Sequence, residues 1–170
     1  MKSFPLSVLF ALMLAGCGYM PASHYAKNVV GESVSTEVVI LMEDPQNSVI
    51  IKDAVDTAVI TKFRTALSPK GSAATHLKIA VGSVRFSPLQ YDVNGYIITY
   101  RTTVTMKILR TTGGKSTSYT TRGVYDFAIE PNAIITDQAR FEAIDQGAQK
   151  GLDAFIAQLA AEGATPAKEQ

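Results

Sequence analysis

The chain has no tryptophan, one cysteine and two histidines in 170 residues. A lone cysteine excludes an internal disulfide framework, a Cys-rich zinc site and a Cys-x-x-Cys redox pair. His24 and His76 stand at no metal-ligand spacing, and His76 reads as a surface residue at a strand start. There is no Gly-x-Ser-x-Gly elbow and no phosphate-binding glycine-rich loop. Asp53 and Asp56, three apart, read as the solvated face of a helix, not as a catalytic dyad. The expectation is a non-enzymatic protein without cofactor or metal. A surplus of one charge is missing too: Lys+Arg number 16, Asp+Glu 15, for a net charge of +1. No global field therefore steers the chain to nucleic acid. What is present, 46% hydrophobic and 18% charged residues, is the composition of one globular domain with a real core.

The first twenty residues read as an address. Met1-Lys2 is a minimal basic start, and Phe4 to Leu14 is apolar apart from Ser7. In a helix that stretch covers about 16 Å, roughly half a bilayer core, which predicts a signal peptide over 1–16 and not a membrane span. Leu14-Ala15-Gly16-Cys17 sets small residues before a cysteine, as a lipoprotein signal peptidase requires. The Cys17 thiol would take a diacylglyceryl group and the freed amine a third chain. Two or three chains anchor stably where one does not. Gly18 stands where an Asp would signal inner-membrane retention. The expected place is therefore the outer membrane, facing the periplasm.

Past Cys17 the periodicities predict an acylated tether over 17–32, one domain over 33–162 and a flexible tail over 163–170. Ser33 to Glu43 alternates, with Val34, Thr36, Val38, Ile40 and Met42 on one face, which marks a strand. After an N-cap at Asn47 or Ser48, Val49 to Leu67 is helical, with Ile51, Val55, Val59 and Phe63 as its stripe. Leu77, Ile79 and Val81 alternate, then Val84 and Phe86 continue on even numbers, so a bulge is expected at Gly82-Ser83. Pro88 suggests a second bulge or an edge position. Asn94-Gly95 is the best signal for a two-residue hairpin, and Gly113-Gly114 makes a second tight turn. The third strand carries Tyr96 to Ile108 and a fourth runs through Tyr119 to Ile129. Tyr96, Tyr100 and Phe127 are read as core. The last helix, starting between Asn132 and Asp137, has Phe141, Ile144, Ala148, Leu152, Phe155 and Leu159 as its apolar stripe. The fold class is thus α+β: a two-layer sandwich with a four-stranded mixed sheet in βαβββα order, and two helices packed on one face. The other face, rich in threonine, would stay uncovered.

Charge is sorted along the chain. Between Lys70 and Arg122 eight basic residues face one acid, Asp92, while the rest of the chain after Cys17 carries seven basic and fourteen acidic residues. A cationic sheet face suits phosphates or carboxylates, which it would meet with charge-assisted hydrogen bonds. The chain resembles the LPS-assembly lipoprotein family, LptE. The resemblance lies in Cys17-Gly18-Tyr19, the βαβββα order, the run Tyr91 to Arg101 with Gly95 and Tyr100-Arg101, and the terminal amphipathic helix. It implies a plug inside a large outer-membrane β-barrel, the LptD-like partner, which helps that barrel assemble and assists insertion of lipopolysaccharide into the outer leaflet. The family's two basic lipopolysaccharide contacts fall on Val93 and Thr136, neither of them basic. Strand parity instead points to Arg101 and Lys107, with Lys78 and Arg122 as neighbours, and the Asn94-Gly95 hairpin is the expected partner contact. The alternative is an auxiliary adaptor lipoprotein of a periplasmic lipid ABC-transport complex.

Overall fold

The structure, a computed structural model, describes residues 22–39 and 45–164. Cys17, the signal peptide, Ile40, Met42 and residues 165–170 lie outside the described residues. The elements are α1 (Ala22–Val30), β1 (Ser33–Val39), α2 (Pro45–Thr61), β2 (Ala66–Leu67), β3 (Thr75–Tyr91), β4 (Ile97–Thr112), β5 (Lys115–Ala128) and α3 (Asp137–Ala164). One mixed sheet runs in the order β2-β1-β3-β4-β5. β1 is parallel to β2 and β3, and β3, β4 and β5 form the antiparallel meander. The fold is α+β as expected, with five strands and three helices among the described residues, where four and two were predicted.

Both additions come from short segments. Residues 22–30, predicted as tether, form α1, whose Ala26 and Val30 are fully buried. Gly31, at φ 81°, ends it, its N–H bonding to the Lys27 carbonyl at 2.8 Å. α2 begins at Pro45, so Asn47 and Ser48 lie inside it and are not its N-cap. It also stops short of the predicted Leu67. Its last turn widens, Phe63 N–H reaching the Ala58 carbonyl at 3.2 Å, and Arg64 turns left-handed at φ 53°. Ala66 and Leu67 are then free to pair with Ser33 and Val34.

The core lies on one side of the sheet. Val34, Val38, Leu77, Ile79, Val81, Val104, Met106 and Ile108 point into it, under Ile51, Val55, Val59 and Phe63 of α2 and its end. Ile144, Ala148, Leu152, Phe155 and Leu159 of α3 complete it. The two helical stripes are thus as predicted, except that Phe141 is half exposed. The Gly82 bulge appears as a register shift between Val81 and Ser83, and a second falls between Pro88 and Gln90.

α3 lies against β5 almost backbone to backbone. A Cβ at Gly123 would stand 1.8 Å from the Gly147 carbonyl oxygen and 2.4 Å from the Gly151 nitrogen. A Cβ at Gly163 would come within 2.6 Å of the Tyr25 carbonyl, where α3 meets α1. On the same buried side, Arg110, 8% exposed, bonds Glu162 at 2.6 Å, and Tyr119 donates its hydroxyl to the same carboxylate at 2.5 Å. Burial, reinforced by that bond, pushes the Tyr119 phenol up to about 12.

Gly123→Ala should lower the urea midpoint by an amount equivalent, through the m-value, to at least the roughly 1–3 kcal/mol typical of overpacking. Gly71→Ala, where an added Cβ meets nothing within 4 Å, should leave it in place. Equal midpoints for the two variants would contradict the crossing.

Candidate functional site

The side of the sheet away from the helices is built in rows by the strand register. Successive rows are Glu37, Lys78, Leu109 and Ser118; then Val39, Ala80, Lys107 and Thr120; then Ser83, Thr105 and Arg122. Beyond them come Arg85, Thr103 and Val124, then Ser87, Arg101 and Asp126. Helix contacts go to the opposite side, where Thr102, Val104, Met106 and Ile108 alternate as buried residues with the exposed Arg101 and Lys107. All four predicted cations, Lys78, Arg101, Lys107 and Arg122, therefore share the open face. Arg110 does not: the strand turns it inward to Glu162.

Carboxylates divide these cations into two sets. Glu37 holds Lys70 at 3.1 Å and Lys78 at 3.2 Å, and stands 3.3 Å from His76 Nε2. The hydrogen bond from Lys70, then that from Lys78, lower the Glu37 carboxyl to about 2. Ser35, itself buried, fixes the His76 ring through Nδ1 at 2.8 Å. Farther along, Arg101 makes a two-pronged bond to Asp126, at 2.8 and 2.7 Å. That bond raises the guanidinium above its ordinary value and lowers the Asp126 carboxyl. Arg101 and Lys78 are thus engaged within the sheet. Lys107, Arg122 and Arg85 are exposed and meet no carboxylate among the described residues.

Arg85 was absent from the sequence-derived set. The bulge at Gly82 reverses the strand phase, so open-face positions are even before it (Lys78) and odd after it (Arg85). The phase slip visible in Val81, Val84 and Phe86 was the signal. Lys107 and Arg122 are diagonal neighbours across β4 and β5, a separation of about 7–8 Å between such positions. Arg85 is one row farther along. Three cations with no internal partner thus frame Thr103 and Thr105.

The Asn94-Gly95 hairpin stands at the far end of β3 and β4. It is not the two-residue turn expected there. Asp92 N–H bonds the Tyr96 carbonyl at 2.8 Å, and Gly95 N–H the Asp92 carbonyl at 3.1 Å, with Gly95 at φ 84°. The Asp92 carboxylate accepts the Asn94 and Tyr96 amides at 2.9 and 2.8 Å, favouring a three-residue loop. The two-residue turn with both φ positive is Gly113-Gly114, at 56° and 79°. Val93 is fully exposed at the tip. Thr136 caps α3, its hydroxyl accepting the Ala139 amide at 3.2 Å. Tyr96 and Tyr100, predicted as core, lie past the end of the helix layer. Tyr96 is 45% exposed, and Tyr100 stacks on Phe127 at 6.1 Å with both half-buried. Among the described residues no helix is long and apolar enough to cross a membrane, and no three His, Cys, Asp or Glu side chains converge as metal ligands would.

One mixed sheet with helices on one side and an open, partly cationic face on the other defines the architecture. The chain is similar to a putative lipoprotein from Caulobacter crescentus, with 13% identity over 84% of this chain and 98% of that one and a TM-score of 0.50. It is also similar to rare lipoprotein B from Shewanella oneidensis, at 10% identity over 77% and 89% of the two chains and a TM-score of 0.42. For lipoprotein B from Nitrosomonas europaea the values are 12%, 79%, 85% and 0.43. At these identities the likeness concerns the fold alone. No family model matches the chain, and no curated protein matches it in sequence.

The Glu37 cluster makes a pH prediction. Its lowered folded-state value means that its stabilisation is complete above the ordinary 4.5 and is lost as pH falls toward about 2. The effect is small because the lysines are exposed and salt screens them. Urea midpoints taken from pH 5 down to 2 should fall more steeply in the wild type than in Glu37→Gln. Parallel curves would contradict the cluster.

Proposed function

We propose that this chain is an acylated, non-enzymatic lipoprotein of the outer membrane. It acts as plug and assembly factor of the lipopolysaccharide-translocating β-barrel and helps insert lipopolysaccharide into the outer leaflet. The observation that carries this reading is the open sheet face, lined by Ser83, Thr103 and Thr105, with Arg85, Lys107 and Arg122 meeting no carboxylate among the described residues. A barrel lumen is polar and hydrated, and a face of hydroxyls and long cationic side chains can meet it through hydrogen bonds without an apolar match. The same cations suit the phosphates of the glycolipid. Lipidation at Cys17 supplies the membrane anchor and holds the domain on the periplasmic side. The fold likeness to a solved bacterial lipoprotein accords with this reading.

Because Arg101 is held two-pronged by Asp126, and Lys78 shares Glu37 with Lys70 away from the centre of the face, the lipopolysaccharide role rests on Lys107 and Arg122, with Arg85 joining them. Reversing the charge of Lys107 and Arg122 together should weaken lipopolysaccharide binding by roughly tenfold or more. Unchanged affinity in low salt would discard the assignment. A photo-crosslinker at Asn94 in intact cells should capture one large outer-membrane β-barrel. Capture of an inner-membrane transport complex would replace the plug by an adaptor in lipid transport.

A further inference from the structure

A second site on the open face lies at the sheet end nearest α1, one row from Lys107 and farther from Arg85 and Arg122. There Lys70, Ala73, Ala74, His76, Lys78, Leu109 and Thr111 line an open cavity of about 460 Å³. Two ammonium groups converge on it through Glu37. Each has three donors, and Glu37 uses one of each, so donors remain and the three charges sum to a positive one. Lys70 and Lys78 are 67% and 48% exposed along their side chains, so both can turn toward a ligand. His76 Nε2, sealed from solvent, has no hydrogen bond despite its 3.3 Å approach to Glu37. Leu109, 39% exposed, and the two alanines give the lining an apolar part beside the lysines.

We infer that this cavity binds a phosphate group borne on an apolar body, with Lys70 and Lys78 on the anion and Leu109 and Ala73 against the apolar part. Both a membrane-lipid headgroup and free phosphate have the anion, and position favours the lipid. Gly31, at the end of α1, packs on Ala74 of the cavity wall, where an added Cβ would stand 3.2 Å from the Ala74 Cβ. α1 is about 13 Å long. The five residue steps from Cys17 to Ala22 reach at most about 18 Å. An acylated Cys17 thus keeps the cavity within roughly 30 Å of the bilayer. That placement rests on the anchor in the proposed function, while the binding chemistry does not.

The test is a titration of the full chain followed by the amide shifts of Ala74, His76, Lys78 and Leu109 in NMR. The probes are dihexanoyl phosphatidylglycerol and, separately, inorganic phosphate. Saturable shifts with the lipid, at lower concentration than with phosphate, are expected. Replacing Lys70 and Lys78 together by Gln should weaken binding by roughly tenfold or more, and Glu37→Gln should tighten it by removing the competing carboxylate. Undisturbed shifts elsewhere establish that each variant is folded. Reversing the charge of Arg85 and Arg122, which stand two or more rows away, should leave this titration unchanged while weakening lipopolysaccharide binding, so failure of the plug reading and failure of this site are told apart. Equal affinity for inorganic phosphate would overturn the lipid source. Absence of saturable shifts, or identical shifts in the double Gln variant, would overturn the site.

Discussion

The structure depends on one close crossing. α3 passes over β5 where Gly123, Gly147 and Gly151 leave no room for a Cβ, the nearest clash being 1.8 Å. Two glycines inside a helix cost about 1 kcal/mol each in propensity. They bring helix backbone onto strand backbone, so that Ile144, Ala148, Leu152 and Phe155 reach the sheet core directly. α1 and α2 close the same side, α1 through the similar approach at Gly163. Most of the sheet's apolar side chains are buried there, and the opposite side, Val39, Leu109 and Val124 apart, is left largely polar.

That polar side is organised by its carboxylates more than by its cations. Glu37 and Asp126 stand near opposite ends of the open face; Asp126 neutralises Arg101, and Glu37 offsets one of the two charges of Lys70 and Lys78. Between them Arg85, Lys107 and Arg122 have no such partner among the described residues. A positive surplus spread along the chain is thereby gathered into a central patch framed by threonines. Under α3, Glu162 does the same for Arg110, whose burial requires it.

Much of this was legible in the sequence. The stripes of α2 and α3, the parallel β1–β3 pairing and the bulge at Gly82 all follow from periodicity. The parts that were missed are short. Tyr25, Ala26, Val29 and Val30 make a helical stripe only two turns long, ended by Gly31, so α1 read as tether. β2 has two residues, and its Leu67 continued the spacing of the α2 stripe although the helix had already unwound at Arg64. Asn-Gly favoured a two-residue turn at Asn94, but Asp92 bonds two amides and lengthens the loop, while Gly113-Gly114 takes the tight form. Tyr96 and Tyr100 alternate like core residues, yet they stand at the hairpin end of β4, Tyr96 largely exposed, and Phe141, one turn into α3, is half exposed as well. Pairing of cations with distant acids such as Glu37 and Asp126 depends on register across strands, which no local pattern carries.

The central claim is that the free side of the sheet is a surface covered by a larger partner in the cell. Cysteines placed one at a time at Thr103 and Thr105 can be probed with a small thiol reagent, in intact cells and in the purified protein. The account predicts rapid modification after purification and protection in cells. Equal modification in both would contradict it.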